Sequence, residues 1–404
     1  MNRIDFPAAL GCIENVSPRL PVEPVPIGAA LGRIIGADIV ARADYPRFDC
    51  SAMDGFAVVA ADAAGASPEK PVRLELVGES RAGAAATRVS APGACAISTG
   101  APIVPPFDAV VAKERVVRER SAVLLTEPVG LGRNIRRRGE DARQGDIVAT
   151  RGQLVTPEVI GALCCFGVPE IDAIRLPRVV VLTTGDELRR AGGTGDHFVH
   201  DSNGPMIAAM MQHAGLAPHL VTPAPDEPGA LVTSIEQALA AAPDLIISTG
   251  GISVGDHDQV PAALQALGAT IHFRGVAMRP GKPVLFATLP NGSLYFGLPG
   301  NPVAAAVGAR FFVIAAVRAM LGLPRERGWA AAIDAPGGPD NVGTRILKAR
   351  WHPGSPPTVT LAADQRSHTM RPLLDCNSWA VRSIGPDGDA GWTCFAMTPS
   401  FAEG

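Results

Sequence analysis

Arg178-Val-Val-Val-Leu-Thr-Thr-Gly-Asp-Glu-Leu188 and Asp244-Leu-Ile-Ile-Ser-Thr-Gly-Gly-Ile-Ser-Val-Gly-Asp-His-Asp258 share one plan: an apolar run stops at Thr-Gly and then presents carboxylates. Short β-branched runs bounded by glycine predict buried strands, here at 178–183 and 244–248, with others at 271–273, 284–288 and 294–298. Between them the apolar spacing predicts helices near 203–214, 229–241, 259–267 and 302–321. Asp201 or Ser202 can cap the first of these helices, and Asn301 followed by Pro302 is a cap followed by a first-turn proline. Alternation of this kind predicts a doubly wound α/β domain, a parallel sheet with helices on both faces and ligands beyond the carboxyl ends of its strands. Thr184-Gly185-Asp186-Glu187 and Thr249-Gly250-Gly251 both fall at such ends.

Downstream, Pro280-Gly281-Lys282-Pro283 precedes Gly297-Leu-Pro-Gly-Asn-Pro302. Only four of the 36 Lys and Arg residues are lysines, yet one of them occupies this proline-stiffened turn. A compact ammonium beside bare glycine backbone suits a small oxyanion. In the loop from Thr249 to Asp258, Gly250, Gly251 and Gly255 expose amides that can cradle a phosphate, with Ser253 among them. Carboxylates beside a phosphate repel it unless a cation intervenes, so the combination implies Mg2+ bridging phosphate oxygens and Asp or Glu.

Residues 44 to about 139 read differently, as short stretches such as Val72–Val77, Ala109–Ala112 and Ala122–Thr126 between Gly/Pro turns, a β-rich insertion. It opens on Asp49-Cys50-Ser51-Ala52-Met53-Asp54-Gly55, which leaves Ser51 and Asp54 on tight turns. Its far end, from Arg136 to Asp146, puts Glu140 and Asp141 on a glycine turn. Pro18–Val40 and Glu140–Gly167 flank the insertion as one linking segment, with a helix expected from Pro157 to Cys165. From about Arg325 short strands return, at Gly343–Trp351, Thr358–Leu361 and Trp379–Val381, and form a second β domain.

At 404 residues, net charge −3 and 19% charged residues, the chain does not carry the basic excess of a nucleic-acid binder. Its two tyrosines leave little for base stacking. The apolar stretch Val303–Leu321 holds Arg310 and Arg318, which predicts a buried or interfacial helix instead of a membrane span. The seven cysteines show no Cys-x-x-Cys and no zinc spacing, and no export signal is read at the N-terminus, so a reduced cytoplasmic chain is expected. Cys50 reads as a small buried thiol.

Six motifs in order carry a resemblance. Phe48-Asp-Cys-Ser-Ala-Met-Asp-Gly55, Gly139-Glu-Asp141, Thr184-Gly-Asp-Glu187, the Thr-Gly-Gly loop ending at Asp258, Pro280-Gly-Lys-Pro283 and Gly297-Leu-Pro-Gly-Asn-Pro302 together resemble the MoeA family of molybdopterin molybdenumtransferases, similar to the E domain of gephyrin. The resemblance runs from about residue 5 to the C-terminus. It implies a multidomain α/β and β homodimer: a linking domain at 17–43 and 140–176, a β-rich insertion at 44–139, a molybdopterin-binding α/β domain at 177–324 with 1–16 packed on it, and a C-terminal β domain at 325–404. The implied reaction inserts molybdate into adenylylated molybdopterin and releases AMP, with Mg2+ as cofactor. A molybdopterin adenylyltransferase and a recipient molybdoenzyme are the implied partners, with no nucleic acid and no membrane.

Carried over by motif, Asp54, Asp141, Glu187 and Asp258 are the expected catalytic set, with Glu187 and Asp258 on the metal. Thr99, Thr184, Gly185, Asp226, Thr249, Gly250, Gly251, Ser253, Gly255 and Asn301 are expected on the pterin substrate, and Arg274, Arg279, Lys282, Pro283, Arg350 and Ser367 on molybdate. The chain departs from the family's usual residues at Cys50, commonly Asn, at Arg274 and Arg279, commonly Lys, and at Ala304, commonly Ser. Arginine exchanges a point charge for a rigid fork and Ala304 removes a hydroxyl, which leaves a non-catalytic paralogue that carries or scaffolds cofactor as the alternative. A molybdopterin adenylyltransferase would share the α/β part but not the β insertion or the C-terminal domain.

Overall fold

A computed structural model describes residues 3–84, 89, 93–185, 188–189, 198–221, 229–252, 259–331, 333, 343–354, 357–382, 391–399 and 401. The chain divides into two compact units, one of Met1–Glu23, Gly32–Ile34 and Ile174–Gly404, the other of Pro24–Leu31 and Ile35–Ala173.

In the first unit, Asp5 caps helix α1 (Phe6–Val16) by accepting the Ala8 N–H at 2.7 Å. The apolar runs singled out above become strands β1 (Val179–Thr183), β2 (His219–Leu220), β3 (Leu245–Thr249), β4 (Thr270–Arg274), β6 (Leu285–Thr288) and β7 (Leu294–Leu298), with the two-residue β5 (Met278–Arg279) between β4 and β6. Helices α2 (Asn203–His213), α3 (Ala230–Leu239), α4 (Gln259–Ala266) and the long helical run α5 (Pro302–Met320) complete the layers. Alternate residues of each strand face opposite sides. Val180, Leu182, Ile246 and Tyr295 therefore pack on Leu231 and Ile235 of α3 and on Val260 and Leu264 of α4, while α2 and α5 pack against each other on the remaining side. Each such fully buried aliphatic side chain stabilises the fold by roughly 1.5–3 kcal/mol.

The sheet order is β2-β1-β3-β7-β6-β4. β2, β1, β3 and β7 are parallel, but β6 runs antiparallel to β7 and β4 antiparallel to β6, so the expected all-parallel sheet is mixed. The reason is connection length. Leu289-Pro290-Asn291-Gly292-Ser293 joins β6 to β7 as a tight hairpin, far shorter than the dozen residues a parallel crossover needs.

Asp244, just before β3, accepts two bonds from Arg175 at 2.8 and 2.7 Å and the Arg178 N–H at 2.7 Å, which ties the starts of β1 and β3 together. Helix α5 is long and apolar enough to cross a membrane, but 89% of its most apolar window is buried in the protein. Its Arg310, 1% exposed, makes paired bonds of 2.7 and 2.6 Å to Glu326, and its Arg318 donates to the Pro324 carbonyl. The expectation of a charged, buried helix holds.

The C-terminal strands β8 (Trp329–Ala330), β9 (Thr344–His352), β10 (Thr358–Leu361), β11 (Ser378–Arg382) and β12 (Trp392–Ala396) form a sheet ordered β5-β9-β11-β12-β8, with β10 also paired to β9. β5 thus leaves the α/β part and joins this sheet as a parallel edge partner of β9.

In the second unit, strands ordered 109–112, 55–58, 94–97, 72–80, 122–125 and 116–118 make a six-stranded sheet with a core on each face. A separate core gathers Val25, Ile35, Ile39 and Val155 around Leu163 of the helix Pro157–Cys165, which Thr156 caps.

Candidate functional site

The first part of the site grows from register. Thr183 of β1 lies opposite Thr249 of β3, and Thr249 lies opposite Leu298 of β7, so three loops leave the sheet side by side. Thr184 donates its N–H (3.0 Å) and its hydroxyl (3.1 Å) to the Thr249 carbonyl, and Gly250 donates to the Leu298 carbonyl at 3.1 Å. Gly250 must be glycine: its φ is +90°, and a Cβ there would stand 2.7 Å from the Thr184 carbonyl oxygen. On the same edge Asn203 donates to the Gly300 carbonyl at 2.9 Å, while its own buried Oδ1 has no partner among the described residues. Asp201 accepts from the Gly204 N–H and the Thr183 hydroxyl, so it, not Ser202, satisfies the start of α2. Thr184 and Gly185 are buried in this cluster, with Thr249, Gly250 and Gly251 beside them. Asp186, Glu187, Asp226, Ser253, Gly255 and Asp258 lie outside the described residues.

The second part is a cavity of about 1080 Å³ between the Lys282 turn and the C-terminal sheet. Among the described residues its wall carries Arg3, Arg279, Lys282, Arg345 and Arg366, five cations against the single carboxylate of Asp364. That carboxylate is engaged by Arg366 at 2.6 Å, which holds it well below the usual range. Arg279 and Arg345 sit directly across from each other on β5 and β9. Gly281, at φ +92°, turns the chain so that Lys282 is exposed to the cavity while Met278 packs beneath.

Asn301 precedes α5 but makes no side-chain cap; its Nδ2 instead donates to the Ser367 hydroxyl at 3.3 Å, and the Val303 N–H donates to the Ser367 carbonyl at 3.1 Å. Ser367, Pro283, Asn301 and Ala304 thereby join Arg279 and Lys282 on one wall. Two expected molybdate contacts are placed elsewhere. Arg274 ends β4 outside the cavity lining, and Arg350 bonds the Asp375 carbonyl at 3.0 Å and lines a neighbouring cavity with His352 and Arg371. Arg345 and Leu347 face the larger cavity, and an odd offset of five along a strand puts Arg350 on the opposite face.

Sequence reading missed Arg3, Arg345 and Asn203. Arg3 is brought in because Ile4 pairs in parallel with Val276, a contact with no local signal. The alternation of Arg345 and Leu347 along a predicted strand was a usable cue for Arg345, had its partner strand been known.

In the second unit, Asp54 Oδ1 accepts both the N–H and the hydroxyl of Thr99 at 2.9 Å, and Lys113 Nζ lies 3.5 Å from Oδ2. These donors, the Thr99 N–H first, hold the exposed Asp54 carboxyl below its ordinary pKa and keep it ionised. Ser51 shapes the turn, its hydroxyl donating to the Met53 carbonyl and accepting the Met53 N–H. Asp141 is exposed and donates its N–H to the Tyr45 carbonyl. The neighbouring arginines are met by acids, Arg136 by Glu140, Arg137 by Asp49 and Arg138 by Asp44. Cys50 is buried, and burial pushes its thiol up, away from reactivity.

Comparison with known proteins points the same way. Residues 4–167 match the family described as MoeA N-terminal region (domain I and II), and residues 180–319 match the one described as probable molybdopterin binding domain. A molybdopterin molybdenumtransferase of Synechococcus elongatus is 34% identical over 91% of this chain and 92% of its own length. One from Nostoc sp. is 37% identical over 78% and 74%. A crystal structure of molybdopterin biosynthesis MoeA protein from Pyrococcus horikoshii covers 98% of this chain and 100% of its own at a TM-score of 0.78, with 23% identity, and shows the same fold. With its motifs, its strands and its relatives in agreement over nearly the whole length, the chain belongs to the MoeA family of molybdopterin molybdenumtransferases.

Proposed function

We propose that this transferase inserts molybdate into adenylylated molybdopterin, releasing AMP and yielding molybdenum cofactor. The observation that carries the reading is the placement of Arg279 directly opposite Arg345, beside Lys282 and the Ser367 hydroxyl. A tetrahedral dianion held there meets two guanidiniums, each able to donate parallel hydrogen bonds to two oxygens. Charge that develops on the oxyanion as its oxygens are displaced then meets donors already fixed in place.

Thr184, Gly185, Thr249, Gly250 and Gly251, at the carboxyl ends of β1 and β3, form the edge that takes the phosphate end of the pterin, the usual ligand position in such a fold; the Thr184 and Gly250 N–H groups hold that edge together. Asn203, whose Oδ1 has no partner among the described residues, adds an acceptor on that edge. Asp54, oriented by Thr99, and Asp141 are assigned catalytic roles.

Mg2+ dependence belongs to the same proposal. Glu187 and Asp258 supply the hard oxygens that Mg2+ takes, and the ion when bound neutralises phosphate charge. Both lie outside the described residues, and among the described residues no three His, Cys, Asp or Glu side chains form a metal cage. An ion shared with substrate phosphates needs only one or two protein carboxylates. The homodimer, the four-domain division, the cytoplasmic setting, and an adenylyltransferase donor and molybdoenzyme recipient complete the proposal.

The test is incubation of purified protein with adenylylated molybdopterin, Mg2+ and molybdate, followed by assay of AMP and active cofactor. Lys282→Ala should raise the molybdate concentration needed for half-maximal insertion and leave pterin affinity nearly unchanged. Tight substrate binding with no AMP release would reject turnover in favour of a carrier.

A further inference from the structure

Lys348 is 1% exposed, one of the most deeply buried large side chains in the protein. Its Nζ donates to the main-chain carbonyls of Arg366 (3.1 Å) and Thr369 (3.3 Å), and among the described residues no carboxylate lies at ion-pair distance from it. Burying an ammonium on carbonyls alone is unfavourable, so an apolar residue would suit a purely structural role better. The same residue grips the loop a second way. Gln365 accepts the Lys348 N–H at 2.9 Å and donates to the Lys348 carbonyl at 3.0 Å, and the Ala362 N–H donates to that carbonyl at 3.0 Å. All these ties hold residues 362–369, whose other side carries Ser367 onto the cavity wall, against Asn301 and the Val303 N–H.

We propose that Lys348 is a positioning residue for the oxyanion cavity: by holding the carbonyls of Arg366 and Thr369, it sets the Ser367 hydroxyl at its place against molybdate. The proposal rests on the reading of this cavity as the molybdate site. Lys348 touches no substrate and acts through Ser367. The charged and titratable groups around it are Asp364, Cys376 and Arg366, and burial draws its own pKa below the ordinary lysine value.

Four lysines make the test tractable, because selectively labelled protein gives at most four 15Nζ signals. On titration with molybdate, the Lys282 and Lys348 signals should shift together with one half-saturation point. A shift of Lys282 with Lys348 silent would overturn the proposal and leave the cavity reading standing. If neither moved, the cavity reading itself would fail and take the proposal with it. In turnover assays Lys348→Met, which keeps the volume of the stem, should raise the half-saturating molybdate about 2–10-fold, the range one hydrogen bond commands. Turnover at saturating molybdate and affinity for adenylylated molybdopterin should not change. Ser367→Ala should give a similar rise, and the double variant no more than the larger single effect. Multiplying effects would show that Lys348 does not act through Ser367.

Discussion

Replacing Gly250 with alanine tests whether the three strand-end loops are held as one unit. Two terms add at this position. The first is conformational, since φ of +90° costs an L-residue roughly 1–2 kcal/mol. The second is a collision, since the new Cβ would lie 2.7 Å from the Thr184 carbonyl oxygen and 2.8 Å from its hydroxyl oxygen. The hydroxyl can rotate away, but the carbonyl moves only with the main chain. Relief therefore requires Thr184 to part from Thr249, which loses bonds of 3.0 and 3.1 Å worth about 0.5–1.5 kcal/mol each. Gly292 supplies the control, with φ of +88° and nothing within 4 Å of its added Cβ, so Gly292→Ala carries only the first term. The difference between the two variants should be about 1–3 kcal/mol, or a 5- to 150-fold rise in opening. Native-state hydrogen exchange at the Thr184 and Gly250 amides reads that opening directly. Gly250→Ala should also weaken binding of adenylylated molybdopterin, and Gly292→Ala should not. Equal protection loss in the two variants, or unchanged exchange at Thr184, would refute the argument.

Burial alone would raise the pKa of Asp244, but bonds from Arg175 and Arg178 outweigh it and hold the carboxyl below its ordinary 3.8. Because the folded-state value is depressed, the stabilisation is complete above pH 3.8 and fades as pH falls through the lower folded value, so the gap in urea midpoint between wild type and Asp244→Asn should close over that acid range. A gap that stayed constant with pH would reject the ion pair as its source. Thr99→Val removes the hydroxyl donor but keeps the N–H, so the Asp54 carboxyl, followed by NMR titration, should rise part of the way to 3.8; no movement would remove Thr99 as its orienting partner. Arg279 and Ala304 share the cavity wall, and the additional donors of arginine can stand in for the hydroxyl that alanine lacks. Arg279→Lys should thus weaken molybdate use and Arg279→Lys with Ala304→Ser recover much of it, a coupling of roughly 0.5–3 kcal/mol, whereas strictly additive half-saturation values would dismiss compensation.

Read alone, the sequence determined those features that depend on neighbours a few residues away. Apolar runs of β-branched residues ending at Thr-Gly marked β1 and β3, and Asn301-Pro302 marked the start of α5, because burial periodicity and capping are local properties. It also singled out Lys282 and Pro283, since a lysine between Gly and Pro is a local anomaly in an arginine-rich chain. Tertiary structure decided what depends on pairing across the chain. The antiparallel course of β6 follows from a hairpin, and the facing of Arg279 and Arg345 follows from β5 leaving one sheet for another. Arg3 reaches the cavity through a bridge between Ile4 and Val276, while Arg350, expected there from the family resemblance, turns to the other face of β9. Asn301 read as a cap but gives its side chain to Ser367. Register converts a one-residue difference into the opposite face of a sheet, and only the folded chain sets the register.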